Sequence, residues 1–140
     1  MARVLAFDFG LNHIGVACGE STLGTASPLP SLNARDGVPD EGRLTALKRE
    51  WQPELIVVGL PLNADGSEQP ITLKAREFAV YVERVLQLKV VLEDERLTSK
   101  AAKEELFERG GYQALTGRRG KERIDSLSAM LILEQYFRQV

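Results

Sequence analysis

Residues 3–19 read RVLAFDFGLNHIGVACG. Arg3 to Phe9 is apolar and β-favouring, and Gly10 bounds it; Ile14 to Gly19 has the same character and follows the turn-like Gly10-Leu11-Asn12-His13. Two short strands joined by a tight turn are therefore predicted. A third covers about Leu23 to Leu32, where Pro28 and Pro30 imply an irregular or edge strand. Three short strands in succession suggest an antiparallel meander.

Beyond residue 38 the period changes. Pro39-Asp40-Glu41 makes a good helix start, with a proline early and acids where the helix dipole favours them. Leu44, Leu47 and Trp51 follow at helical spacing until Pro53. Leu55 to Gly59 (LIVVG) is a continuous apolar run, as expected of a strand covered on both faces. After a loop from Leu60 to Gln69, Pro70 opens a helix with Ala75, Phe78, Ala79, Val82 and Leu86 on one face. Lys89 to Glu93 reads as another strand, and Thr98 or Ser99 can cap a helix that runs to Arg109 and stops at Gly110-Gly111. A polar loop, Gly111 to Glu122, leads to a last helix from about Ile124 to Arg138. The order β-β-β-α-β-α-β-α-α implies an α/β fold with a mixed sheet and helices covering its faces.

Composition sets limits on function. The chain has 140 residues, one domain's worth, with 44% hydrophobic and 27% charged residues, the balance of a soluble globular protein. No apolar run approaches the ~20 residues that span a bilayer, and the N-terminus lacks a secretory pattern. Its one cysteine, Cys18, fits a reducing compartment and reads as core packing, so a cytoplasmic, membrane-free location is expected. A net charge of −2 counts against a sequence-blind nucleic-acid coat protein but not against an enzyme that touches a few phosphates.

Acids mark the ends of several elements. Asp8 interrupts an apolar strand, where a charge is expensive unless solvated, paired or metal-bound. It either caps a turn or serves a ligand, for which Gly10 and Gly15 leave room. Glu93, Asp94 and Glu95 follow a buried strand, at the end of an α/β sheet where ligands usually bind. Side chains alternate, so at most one or two of them can face the way Asp8 does; Glu95 is the first choice and Asp94 the reserve. Asp125 lies in the first turn of the last helix, as a ligand or as a dipole partner. Three carboxylates about 4 Å apart would repel by several kcal/mol per pair, and a hard divalent cation such as Mg²⁺ or Mn²⁺ removes that penalty. With His13 the sole histidine, zinc does not suit the chain.

Four blocks then carry a resemblance: DFG-LNH-IGVA (Asp8 to Ala17), VGLPLNADG (Val58 to Gly66), DERLTS (Asp94 to Ser99) and IDSLSAMLILEQYF (Ile124 to Phe137). Together they resemble the YqgF/RuvX family, pre-16S rRNA-processing nucleases also described as Holliday junction resolvases. The resemblance spans residues 4 to 137. It implies one RNase H-like nuclease domain over residues 1–140, related to RuvC resolvases, with a mixed five-stranded sheet and helices on both faces. It further implies an Asp–Glu–Asp metal centre at Asp8, Glu95 and Asp125, and work on structured RNA at the 5′ side of the 16S precursor. A role on branched DNA competes with that one. Two departures stand out: His13 where the family usually has Arg or Lys, which puts a phosphate contact in doubt, and Ser128 where the last block usually reads D-x-x-A-A.

Phosphodiester hydrolysis by such a centre would use two metals ~3.5–4 Å apart, with Asp8 shared between them. Substrate would be held by Arg96, Lys100, Asn63, Arg118 and Arg119, the last two in a basic stretch with Lys121 and Arg123. Each has a plainer role, Arg96 pairing with its acidic neighbours and Asn63 making a turn. Two other readings stay open: a nucleotide-binding protein, since D-x-G-x-x-x-x-G-x-A also resembles an ATPase phosphate loop, and a non-catalytic RNA-binding module. A junction resolvase needs a two-fold dimer, whereas the RNA role suits a monomer or weak homodimer.

Overall fold

The computed structural model describes residues 2–95 and 126–140. The helix expected at 98–109, the polar loop after it, and Arg96, Lys100, Arg118, Arg119 and Asp125 lie outside the described residues. Six strands and three helices are described: β1 (Arg3–Asp8), β2 (His13–Glu20), β3 (Thr25–Arg35), β4 (Val38–Pro39), α1 (Glu41–Trp51), β5 (Leu55–Leu60), α2 (Pro70–Leu86), β6 (Val90–Asp94) and α3 (Leu127–Gln139).

The strand order is β4-β3-β2-β1-β5-β6. β1 through β4 pair antiparallel, while β1–β5 and β5–β6 pair parallel. The mixed sheet matches the expectation; its strand count is six rather than five. The addition is β4, which pairs with Ala34 and Arg35 across Asp36-Gly37. Both turn residues have positive φ, 51° and 84°, the backbone that a two-residue hairpin needs and that Asp-Gly supplies readily. β3 is accordingly longer than predicted. Pro28 and Pro30, two residues apart, direct their missing N–H groups to the same side of the strand, and β3 keeps its pairing with β2 through Pro28.

Helix ends follow local chemistry. The Asp40 carboxylate accepts from the Arg43 N–H at 3.1 Å and caps α1, and Gln52 closes that helix in a left-handed conformation (φ 47°) ahead of Pro53. At the start of α2 the Thr72 hydroxyl accepts from the Gln69 N–H at 2.9 Å and donates to the Pro61 carbonyl.

Side-chain alternation divides the core. Leu5, Phe7, Ile14, Val16, Ile56 and Val58 pack on one face against Leu44 of α1 and Ala75, Phe78, Val82 and Leu86 of α2. The rings of Phe7 and Phe78 meet edge-on, centroids 5.8 Å apart. Trp51 and Cys18 pack half-buried against this core, and burial raises the Cys18 thiol pKa. The other face is built of Val4, Ala6, Ala17 and Val57 beneath Leu127, Ala129, Met130, Ile132, Leu133 and Phe137 of α3. No helix among the described residues is long and apolar enough to cross a membrane.

Candidate active site

Asp8 ends β1 on the α3 side, sharing the parity of Val4 and Ala6. Its in-register neighbours are Gly15 on β2 and Gly59 on β5. The Asp8 carboxylate is thus flanked in register on both sides by residues without side chains, which makes a notch in the side-chain layer of the sheet. Gly15 also sits where the β2–β3 register shifts, between Ile14 and Val16. Such irregularities re-aim the groups beside them.

The second acid reaches the same notch. A Cβ on Gly59 would meet Glu95 Oε2 and Ile132 Cδ1, each at 2.5 Å, so the Glu95 carboxylate occupies the space that Gly59 leaves beside Asp8. That Glu95 oxygen is buried. Register accounts for the placement: Gly59 pairs with Glu93 and Leu60 with Asp94. Glu93 and, beyond the strand, Glu95 thus turn to the α3 face, and Asp94 to the opposite one.

Glu93 is buried among amides. Its Oε1 accepts from Gln135 Nε2 at 2.8 Å and from Gln139 Nε2 at 2.7 Å. It therefore ties β6 to α3, a role the sequence reading did not assign. The start of α3 is tied as well: Ser126 Oγ accepts from the Val16 N–H at 2.9 Å, next to Gly15. Ser128, the departure noted in the last block, is buried in the first turn of α3.

Asn63 belongs to a turn. Its backbone N–H donates to the Ser67 carbonyl, its amide to the Ser67 hydroxyl, both at 2.9 Å, and its carbonyl accepts from the Gly66 N–H at 2.8 Å. His13 is exposed at the start of β2, opposite Asn33. Among the described residues no group of three His, Cys, Asp or Glu side chains stands together as a metal site. Two acids stand beside Gly59, Asp8 by strand register and Glu95 by its carboxylate. Hard oxygen donors beside a space without side chains fit a divalent cation of the Mg²⁺ or Mn²⁺ type.

Sequence features of this site were unequally visible. The acids could be found by their places at strand ends. Gly59 reads in sequence as the end of an apolar run, and nothing in the sequence singled out Gln135.

Comparisons with known proteins give one family and two described activities. The family model described as "RuvX: Holliday junction resolvase" matches residues 2–139. A protein of Actinobacillus pleuropneumoniae serotype 5b (strain L20), named "Putative pre-16S rRNA nuclease", is 54% identical over 98% of each chain. One of Histophilus somni (strain 2336) with the same name is 53% identical over 96% of this chain and 92% of its own. Among solved structures, T. thermophilus RuvC in complex with a Holliday junction substrate superposes with a TM-score of 0.58 at 14% identity, covering 99% of this chain and 95% of that one. The Fowlpox virus resolvase bound to Holliday junction DNA gives 0.60 at 11% identity, covering 98% and 97%. At those identities the likeness is one of fold, a RuvC-like RNase H arrangement.

Proposed function

The chain belongs to the RuvX family, and on that premise we propose that it is a divalent-metal-dependent nuclease that hydrolyses phosphodiester bonds of structured RNA at the 5′ side of the 16S rRNA precursor. The observation that carries the reading is that Gly59 has Asp8 as its in-register neighbour on β1 and the Glu95 carboxylate against its open Cβ position, which brings two acids far apart in sequence to the same end of the sheet. The choice of RNA rests on the names of relatives more than half identical over nearly their whole length.

Asp8, Glu95 and Asp125 would hold the metal, Mg²⁺ or Mn²⁺. Bound there, the cation would supply charge neutralisation at the phosphate and an acidified water. The chain's own residues do the rest. Asp8 presents its carboxylate from the rigid end of a central strand, so its direction is set by the pairing on both sides. Gly15 and Gly59 keep that carboxylate accessible to a phosphate at close range. Glu95 places a buried oxygen against Gly59, and the Ile132 side chain packs at the same spot. Arg96, Lys100, Arg118 and Arg119 are proposed to bind flanking phosphates, and Asn63, held in its turn by Ser67, to offer the adjoining loop to the sugar–phosphate backbone. No step requires a second copy of the chain, so a monomer or weak homodimer in the cytoplasm suffices.

The family's own description favours a second reading, resolution of four-way DNA junctions by a two-fold dimer. Cleavage of a precursor-16S fragment and of a synthetic junction, each with Mn²⁺ and with chelator, separates the two. Metal-dependent cutting of the RNA is expected. Asp8→Asn is expected to lower that rate by at least about a hundredfold, beyond the ~10–100-fold typical of residues that act behind a ligand, with its thermal midpoint unchanged. Wild-type cleavage by this variant would sink the assignment.

A further inference from the structure

We propose that Gln135 is a positioning residue for the metal centre: its buried amide, bound to both the Glu93 carboxylate and the Asp94 carbonyl, sets the direction in which Glu95 leaves β6. The proposal rests on the reading of Asp8 and Glu95 as metal ligands and adds how the second of them is aimed.

Gln135 lies on α3 with 7% of its surface exposed, and Glu93 on β6 with 6%. The Gln135 Nε2 group has two hydrogens, and both are engaged, one by Glu93 Oε1 and one by the Asp94 carbonyl, each at 2.8 Å. The Asp94 carbonyl belongs to the peptide unit whose nitrogen is that of Glu95. The N–H at the other end of that unit donates to the Leu60 carbonyl at 3.3 Å, near the long limit of useful hydrogen bonds. The Asp94–Glu95 peptide is therefore gripped at both ends, more firmly at the carbonyl. Rotation of this plane would swing the Glu95 side chain out of the space above Gly59, where its Oε2 now lies. Ile132, three residues before Gln135 on α3, touches the same space, so the helix that aims Glu95 also floors its seat.

A purely structural role would have Gln135 do no more than satisfy the buried Glu93 charge, a task it shares with Gln139. The two amides differ in one respect: Gln135 reaches the Asp94 carbonyl. Gln135→Met keeps the length and packing and removes both donors. Gln139→Ala removes a donor to Glu93 and leaves the peptide grip.

Mn²⁺ binding to the full chain, followed by the electron paramagnetic resonance signal of free Mn²⁺, reads the difference without recourse to activity. Gln135→Met is expected to weaken Mn²⁺ affinity about 10–100-fold, as loss of groups that orient ligands does. Gln139→Ala should stay within about threefold of wild type, well below that range. Cleavage by Gln135→Met should recover towards the wild-type rate at saturating Mn²⁺. A folded Gln135→Met with wild-type affinity, or equal losses in both variants, overturns the proposal. Asp8→Asn in the same titration tells the two failures apart. If it binds Mn²⁺ as wild type does, the metal reading itself fails; if it alone loses binding, only the positioning role fails. Should Gln135→Met not fold by circular dichroism, Gln135→Asn, one methylene short of both acceptors, takes its place with the same expected shift, and wild-type affinity there overturns the proposal.

Discussion

The two faces of the sheet are built for different ends. Towards α1 and α2 the strands present Leu5, Phe7, Ile14, Val16, Ile56 and Val58, large side chains that interlock with two helices. Towards α3 the same strands present Val4, Ala6, Ala17 and Val57 with Gly15 and Gly59, and the acids Asp8, Glu93 and Glu95 lie on the same face. The first face is apolar throughout; the second combines an apolar core of smaller strand residues with carboxylates. The large side chains of the first face contribute roughly 1.5–3 kcal/mol each on burial and so help offset the cost of placing carboxylates on the second.

The comparison breaks most sharply at Phe7. It is fully buried and meets Phe78 edge-on, one residue from Asp8 but on the opposite face. Phe7→Ala is expected to lower unfolding free energy by about 3–5 kcal/mol, measured by urea titration. The folded fraction should retain wild-type Mn²⁺ affinity. A variant that folds normally and loses metal would show that the faces are not independent.

Gly59→Ala tests the other side and should destabilise less, about 1–3 kcal/mol. The new methyl meets the ends of two side chains, Glu95 Oε2 and Ile132 Cδ1, and not backbone, so both can give way. What suffers is the aim of Glu95: cleavage should fall at least about tenfold, the smaller of the losses known for groups supporting a metal ligand. Unchanged cleavage together with unchanged stability would mean that Glu95 has no need of that seat.

Much of the larger face was legible in the sequence, because it is written in periodicity. LIVVG, the 3.6-residue spacing of Leu44, Leu47 and Trp51, and the stripe from Ala75 to Leu86 identify β5, α1 and α2 without further help. The β3–β4 hairpin went unpredicted, although Asp36-Gly37 carries the turn chemistry that makes it. The smaller face was not written that way. Which of Glu93, Asp94 and Glu95 turns towards Asp8 depends on the register of β5 with β6, over thirty residues apart, and a slip of one residue would reverse it. The importance of Gly59 arises from what approaches it from elsewhere in the chain. Gln135 acquires its partners only once α3 lies on the sheet.

The smallest of these effects should come from Ser126, where α3 meets β2. Its hydroxyl takes the Val16 N–H, a donor left beside the register shift at Gly15. Ser126→Ala removes the acceptor and leaves a buried N–H without it, a loss of about 1 kcal/mol at the low end of the range for such donors. Val16 itself packs on the larger face, which has no part in the change and should hold the strand in register. Stability should therefore fall slightly, while hydrogen exchange at the Val16 amide should quicken by about fivefold or more, the factor to which 1 kcal/mol corresponds. An exchange rate equal to wild type would mean that α3 rests on β2 by apolar contact alone, and that the polar tie at its start does nothing to fix the helix beside Gly15.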